Sequence, residues 1–135
     1  MRAIGIELAG KEAILVAAEK EGEELSVIES KIKKVSFKDH TNAEEVKEMR
    51  DLLFSFFNEI SPDRIGIIKR GESGQFAASP ISFKIEGLIQ LYERLNIDLV
   101  PLPTIKAFLK KYPLSISAKY NYQENSLALA YFLLK

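Results

Sequence analysis

Glu7 stands inside Ala3-Ile4-Gly5-Ile6-Glu7-Leu8-Ala9, an acid with apolar or small residues on both sides. A carboxylate withdrawn from water is costly unless it is paired or put to use. Glu7 is therefore either a functional acid or one half of a structural ion pair. Near the other end, Gln123-Glu124-Asn125-Ser126 places an acid and amides just ahead of Leu127-Ala128-Leu129-Ala130, a small-and-leucine helix face. Asn121-Tyr122-Gln123-Glu124 also has capping-box spacing, so Glu124 has a second reading as a helix N-terminal acid. Lys69 and Arg70, followed by Gly71 and Gly74, can hold a phosphate group with cations and exposed loop amides. The Gly-x4-Gly-Lys-Ser/Thr spacing of a P-loop is absent.

Two lysine clusters, Lys31, Lys33, Lys34 and Lys38, then Lys106, Lys110, Lys111 and Lys119, are interleaved with Phe37, Phe108, Tyr112, Tyr120 and Tyr122. Lysines plus stacking rings suit a surface for single-stranded or junction nucleic acid. The competing reading has Lys31 and Lys33 pointing outward to protect an edge strand, with the rings in the core. His40, the one histidine, follows Asp39, which suggests a proton relay. No serine or cysteine nucleophile motif accompanies it, so a loop position is the simpler expectation.

The elements that must position these groups follow from apolar periodicity. Arg2 to Leu8 and Glu12 to Glu19 read as a hairpin through Ala9-Gly10-Lys11, and Leu25 to Phe37 as a third strand. Thr41-Asn42-Ala43-Glu44 has capping-box form and opens a helix with Val46, Met49, Leu53, Phe56, Phe57 and Ile60 on one stripe. Ser61-Pro62-Asp63 stops it, and Arg64 to Ile68 has the length of a buried parallel strand. Gly71 to Gly74 reads as a loop. Ser79-Pro80 then starts a helix expected to reach about Asn96, with serine as cap and proline in the first turn. Ile97 to Val100 is a short strand, Pro103-Thr104 opens a helix closed by Pro113, and a last helix runs from near Asn121 to Tyr131 or beyond. The order βββαβαβαα predicts an α/β fold with a mixed five-stranded sheet flanked by helices, the order of ribonuclease H-like folds.

Composition bounds what this fold can do. The 135 residues, 47% hydrophobic and 28% charged, suffice for one core, and residues 1–135 are expected to form one domain. Nineteen basic side chains balance nineteen acidic ones, so nucleic-acid binding must come from a local patch rather than from net charge. The chain has no cysteine, which excludes disulfides and thiolate metal sites. No apolar run suits a signal peptide or membrane span, and the cytoplasm is the expected compartment.

Ile4-Gly5-Ile6-Glu7 and Asn125-Ser126-Leu127-Ala128-Leu129-Ala130 resemble the first-strand acid and the C-terminal Asp-Ala-Leu-Ala helix of RuvC-type resolvases. Phe76-Ala77-Ala78-Ser79, Glu86-Gly87, Ile97 to Pro101 and the helix after Thr104 follow the spacing of their middle region. Thr41-Asn42-Ala43-Glu44 with Ser82-Phe83-Lys84 is similar to a small bacterial family of uncharacterised RuvC-like domains. The resemblance spans nearly the whole chain. It implies carboxylates from strand one, strand four and the last helix around Mg²⁺ or Mn²⁺ ions that activate water for phosphodiester cleavage. It also implies nucleic acid as partner and a possible homodimer. Onto this chain it carries Glu7 and Asn125 as metal ligands, with Lys69, within one residue, where the strand-four acid should stand. Tyr122 stands where a further acid is usual. A rearranged single-ion site would draw on Glu7, Glu124 and Glu72. Lys69, Arg70, Lys106, Lys110 and Lys111 are the expected nucleic-acid contacts. The alternative is a non-catalytic interaction or regulatory module on the same scaffold.

Overall fold

The computed structural model describes residues 1–70 and 79–135. The hairpin forms as expected: β1 (Arg2–Ala9) and β2 (Glu12–Glu21) pair antiparallel from Arg2 opposite Glu19 to Ala9 opposite Glu12. Gly10 takes the turn with a positive φ of 60°, which a side chain would resist.

The expected third strand is two strands. β3 (Glu24–Ile28) and β4 (Lys34–Ser36) pair with separate stretches of the same β2 edge, so the sheet has six strands rather than five. The break is local chemistry. Ser30 Oγ accepts the amide of Ile32 and the Ser30 carbonyl accepts Lys33 Nζ, bonds that compete with the ladder. Pairing resumes as Leu15 donates its amide to the Lys33 carbonyl.

Helix α1 (Ala43–Ile60) is capped by Asn42, not Thr41. Asn42 Oδ1 accepts the amides of Glu44 and Glu45, and the Glu45 carboxylate reaches back to the amides of Lys38 and Asp39. The cap therefore sits one residue later than expected and closes no reciprocal box, because the Asn42 amide goes to the Asp39 carbonyl. β5 (Arg64–Lys69) lies parallel to β1, and β6 (Ile97–Pro101) parallel to β5, giving the order β3-β2-β1-β5-β6 with β4 beside β2. Helix α2 (Pro80–Gln90) starts at the expected Ser79 cap but ends well before Asn96. Tyr92 is drawn off the helix axis: its ring packs edge-on to Phe54 and Phe57, and its hydroxyl donates to Asn58 Oδ1 at 2.7 Å. Helix α3 (Leu102–Lys111) follows β6 directly. A 3-10 turn at Asn121–Gln123 leads into α4 (Glu124–Leu133).

Strand alternation divides the core. Ile4, Ile6, Leu15, Ile65 and Ile67 pack under α1 and α2, while Ala3, Val16, Ala18 and Ile68 pack under α3 and α4. On the second face α4 lies almost on the backbone of the sheet. A methyl group added at Gly5 would come within 2.0 Å of the Ser126 carbonyl oxygen and 2.8 Å of the Ala130 nitrogen. Gly66, paired with Gly5 across the parallel strands, faces Leu129 and Leu133. Ser126 Oγ fixes the contact by donating to the Ile14 carbonyl at 2.8 Å.

This packing makes an unequal pair of glycines. Gly5→Ala should cost about 3 kcal/mol or more in urea unfolding, at or above the top of the usual overpacking range. Gly87→Ala, on a helix with nothing among the described residues near the added methyl, should instead gain roughly 0.5–1 kcal/mol. Equal effects at the two positions would contradict the close approach of α4.

Candidate functional site

Gly5 and Glu7 share the α4 face of β1 by strand alternation, and Asn125 sits one residue before Ser126, which anchors α4 to β2. These constraints bring Asn125 onto Glu7. Asn125 Nδ2 donates to Glu7 Oε2 at 2.9 Å. A carboxylate can only accept, so the amide presents its nitrogen. From the carboxyl end of β5 comes Arg70, which follows Gly66 and Ile68 in the alternation. Its Nη2 donates to the same Glu7 oxygen at 3.2 Å. Glu7 is 9% exposed, so the buried acid of the first strand has found its counter-ion. Arg70 Nε is also buried and has no hydrogen-bond partner among the described residues.

A divalent ion of the kind the RuvC resemblance implies needs several oxygen ligands turned toward one point. In this cluster the carboxylate oxygen that faces α4 receives two N–H donors. A guanidinium already supplies positive charge beside it. Lys69 lies exposed next to Arg70. Glu124 does not join Glu7: its Oε1 accepts the amide of Ala118 at 3.1 Å, tying the preceding loop to the start of α4. Among the described residues no three acids or histidines converge as metal ligands would. Glu72 lies outside the described residues. Among the described residues the donor set does not fit a divalent ion.

The other expected groups are spread over the fold. Lys69 and Arg70 sit at the carboxyl end of β5, beside the end of β6, as Lys69 pairs with Pro101. Helix α3 starts there and runs back, about 15 Å over its ten residues. It leaves Lys110 and Lys111 in its last turn, with exposed Lys106 partway along. Tyr112, the next residue, lines a groove of about 400 Å³ with Lys20, Glu23, Phe108, Tyr131 and Lys135. Met1 accepts the Lys20 amide through its carbonyl, so this groove belongs to the amino end of β1, away from Glu7. Lys106, Lys110 and Lys111 thus form a surface apart from Lys69 and Arg70.

Of the interleaved rings, Phe37 is buried, whereas Tyr112, Tyr120 and Tyr122 are exposed. Lys31 and Lys33 lie between β3 and β4 rather than alternating along a strand. Asp39 accepts from the Thr41 hydroxyl and amide, and in that order these bonds hold its carboxyl below its ordinary value. The ring of His40 faces Lys84, so no relay to Asp39 is built.

Sequence reasoning named Glu7, Arg70 and Asn125 but did not join Arg70 to Glu7. The signal was present: alternation from Gly66 puts Arg70 on the α4 face, and the parallel pairing of the first and fourth long strands brings that end beside Glu7. Gln123 stood in the segment singled out ahead of the last helix, but its burial and its bond through Nε2 to the Leu15 carbonyl were not expected. Its mark in the sequence is a polar residue three before Ser126 on the buried face of α4.

The fold is close to that of Thermus thermophilus RuvC. One RuvC structure superposes with a TM-score of 0.71 at 11% identity, covering 96% of this chain and 91% of that one. RuvC from the same organism in complex with Holliday junction substrate gives 0.71 at 13% identity, with 96% and 90% covered. No curated protein sequence matches the chain. The sequence model of one family, described as "Protein of unknown function (DUF3010)", matches residues 1–133. Among the described residues no helix is long and apolar enough to cross a membrane.

The ion pair predicts coupled losses. Glu7→Gln leaves the guanidinium without its counter-charge, and Arg70→Gln leaves the carboxylate. In a double-mutant cycle by urea unfolding the coupling should be about 1–3 kcal/mol, below the range of about 3–5 kcal/mol for breaking a fully buried pair. The Arg70 side chain is 34% exposed, which weakens the interaction by solvent screening. Additive single losses would show that the two groups do not interact in solution.

Proposed function

The chain belongs to the family described as "Protein of unknown function (DUF3010)", and from the cluster at the end of its first strand we propose a nucleic-acid-binding domain that does not cut by divalent-metal catalysis. The supporting observation is that Arg70 and Asn125 both donate to Glu7, the acid that the resemblance assigns to metal. A guanidinium stands where a cation would be held. With exposed Lys69 beside it, the end of β5 has the charge to receive a phosphate group, as charge-assisted N–H donors do. The RuvC relative bound to Holliday junction substrate makes branched DNA the first ligand to try.

The role of each residue follows. Glu7 orients Arg70 and keeps its charge from being buried unpaired. Asn125 fixes the carboxylate from α4. Lys69 and the exposed part of Arg70 take the phosphate. On this reading the cluster activates no water, since among the described residues its carboxylate, Glu7, is held by Arg70 and Asn125.

The test is binding and cleavage of a four-way junction, with and without Mg²⁺ or Mn²⁺. The wild-type protein should bind without metal and leave the strands intact. For about four phosphate contacts, affinity should fall by about 100-fold between about 50 and 200 mM salt. Metal-dependent cleavage that Glu7→Gln abolishes would instead restore the nuclease reading. Binding that is absent or indifferent to salt would favour a protein-interaction scaffold. Arg70→Glu exchanges the guanidinium for a second carboxylate beside Glu7. Calorimetry should then detect Mn²⁺ binding with a Kd of about 10⁻⁴–10⁻³ M, the range of weak carboxylate sites, where the parent shows none.

A further inference from the structure

The 3-10 turn ahead of α4 carries an aromatic pair that neither the fold nor the Glu7 cluster requires. Gln123 is the anchor of this turn. Its Nε2 donates to the Leu15 carbonyl at 3.3 Å, at the point of the β2 edge between the stretches paired with β3 and β4, and its Oε1 accepts the amide of Tyr120. With the backbone held at both ends, Tyr120 and Tyr122 project outward. Their rings lie 5.4 Å apart and 5° from parallel, 42% and 38% exposed. Burial alone does not explain the pair, since each residue keeps about two-fifths of its surface in water.

Charge surrounds them. Lys34 Nζ stands 4.9 Å from the Tyr122 centroid, and Lys119 and Lys33 Nζ stand 5.6 and 6.0 Å from that of Tyr120. Lys34 also lies 3.5 Å from Glu12, and Lys33 donates to the Ser30 carbonyl. Of the nearby acids, Glu124 is committed to the Ala118 amide. Glu29 borders a neighbouring cavity with Lys33 and Lys119. Three ammonium groups therefore stand over or beside the two rings, while the three carboxylates of the neighbourhood, Glu12, Glu29 and Glu124, have other contacts.

The platform also has a fixed place relative to Glu7. Glu7 pairs with Ile14 on β2, and Ile14 pairs with Lys34 on β4, so the three lie in one row across the sheet. Two strand spacings, about 10 Å, separate the Glu7 and Lys34 backbones.

We propose that Tyr122, backed by Tyr120, is a stacking site for an unpaired base of single-stranded nucleic acid, with Lys33, Lys34 and Lys119 taking the flanking phosphates. This rests on the nucleic-acid reading above and adds to it which part of the ligand is recognised. A base entering the site displaces a lysine ammonium from the ring face. The ammonium keeps a partner by moving to the phosphate, on a flexible stem that costs little to rearrange. Every base has a π-face, so the site is indifferent to sequence but excludes bases stacked inside a duplex.

Fluorescence anisotropy with labelled oligo(dT), oligo(U) and a blunt duplex of equal length tests it at low salt. The wild-type protein should prefer a single strand to the duplex, and the comparison of oligo(dT) with oligo(U) separates DNA from RNA as the source of the base. Tyr122→Leu should weaken single-strand binding by about 5- to 150-fold, the worth of one base stack, and leave duplex binding unchanged. Tyr122→Phe, which keeps the ring, should bind as the parent does. If Tyr122→Leu binds the single strands as tightly as wild type, the stacking site is wrong and the nucleic-acid reading stands. If the wild-type protein binds none of the three probes, both fall.

Discussion

The approach of α4 to the sheet at Gly5 is the constraint from which the rest of this molecule follows. The carbonyl of Ser126 and the nitrogen of Ala130 occupy the space that any side chain on residue 5 would need. Helix and sheet backbones can come this close only where both surfaces are stripped of bulk: Gly5 and its neighbour Gly66 on the strands, Ser126 and Ala130 on the helix. Close packing of this kind has no slack. It therefore fixes the rotation of α4 and with it every group on the first turn. Asn125 meets Glu7, Ser126 meets the Ile14 carbonyl, and Gln123 reaches the open edge of β2 at Leu15.

Once that helix is in place, the carboxylate of Glu7 is largely withdrawn from water, and its charge must be answered inside the fold. Arg70 and Asn125 answer it together. One brings the counter-charge and the other a neutral donor, and both converge on Oε2. Two donors on one buried carboxylate oxygen make a satisfied group rather than a vacant ligand. The same residue type at the same strand position can hold a metal or hold an arginine. What arrives from the neighbouring strand decides which.

Much of this was legible in the residues. The glycine turn at Gly10, the Ser79-Pro80 start, the stripe of α1 and the short parallel strands each carry a local signal strong enough to fix an element. The failures share a cause: tertiary contacts acting on a weak local preference. Leu25 to Phe37 has enough apolar residues for one strand, but Ser30 and Lys33 close a local turn that divides it. The helix after Ser79 has apolar residues through Leu95, but the hydroxyl of Tyr92 binds Asn58 on a helix distant in sequence, and the chain turns there. At the site, Glu7 and Asn125 stood out by type and resemblance. That Arg70 completes their cluster depended on the β1–β5 register, and the buried role of Gln123 on an interruption in the β2 edge, neither of which is a local property of the chain.

The three positions where this chain departs from the acids that the RuvC resemblance implies change the site in one direction. At the end of β5 Lys69, within one residue, stands where an acid is expected; on α4 Asn125 stands in the place of an aspartate, and three residues before it Tyr122 in the place of a further acid. Each exchange removes a negative charge, and the first adds positive charge in its place. A ring of carboxylates attracts cations and, through them, phosphates. In this chain Arg70 and Lys69 at the end of β5, and Tyr122 with Lys34 Nζ 4.9 Å from its ring centroid, put positive charge and a ring where that pattern has carboxylates. A buried acid at this position cannot be left unpaired, and here it is the guanidinium of Arg70 that pairs it.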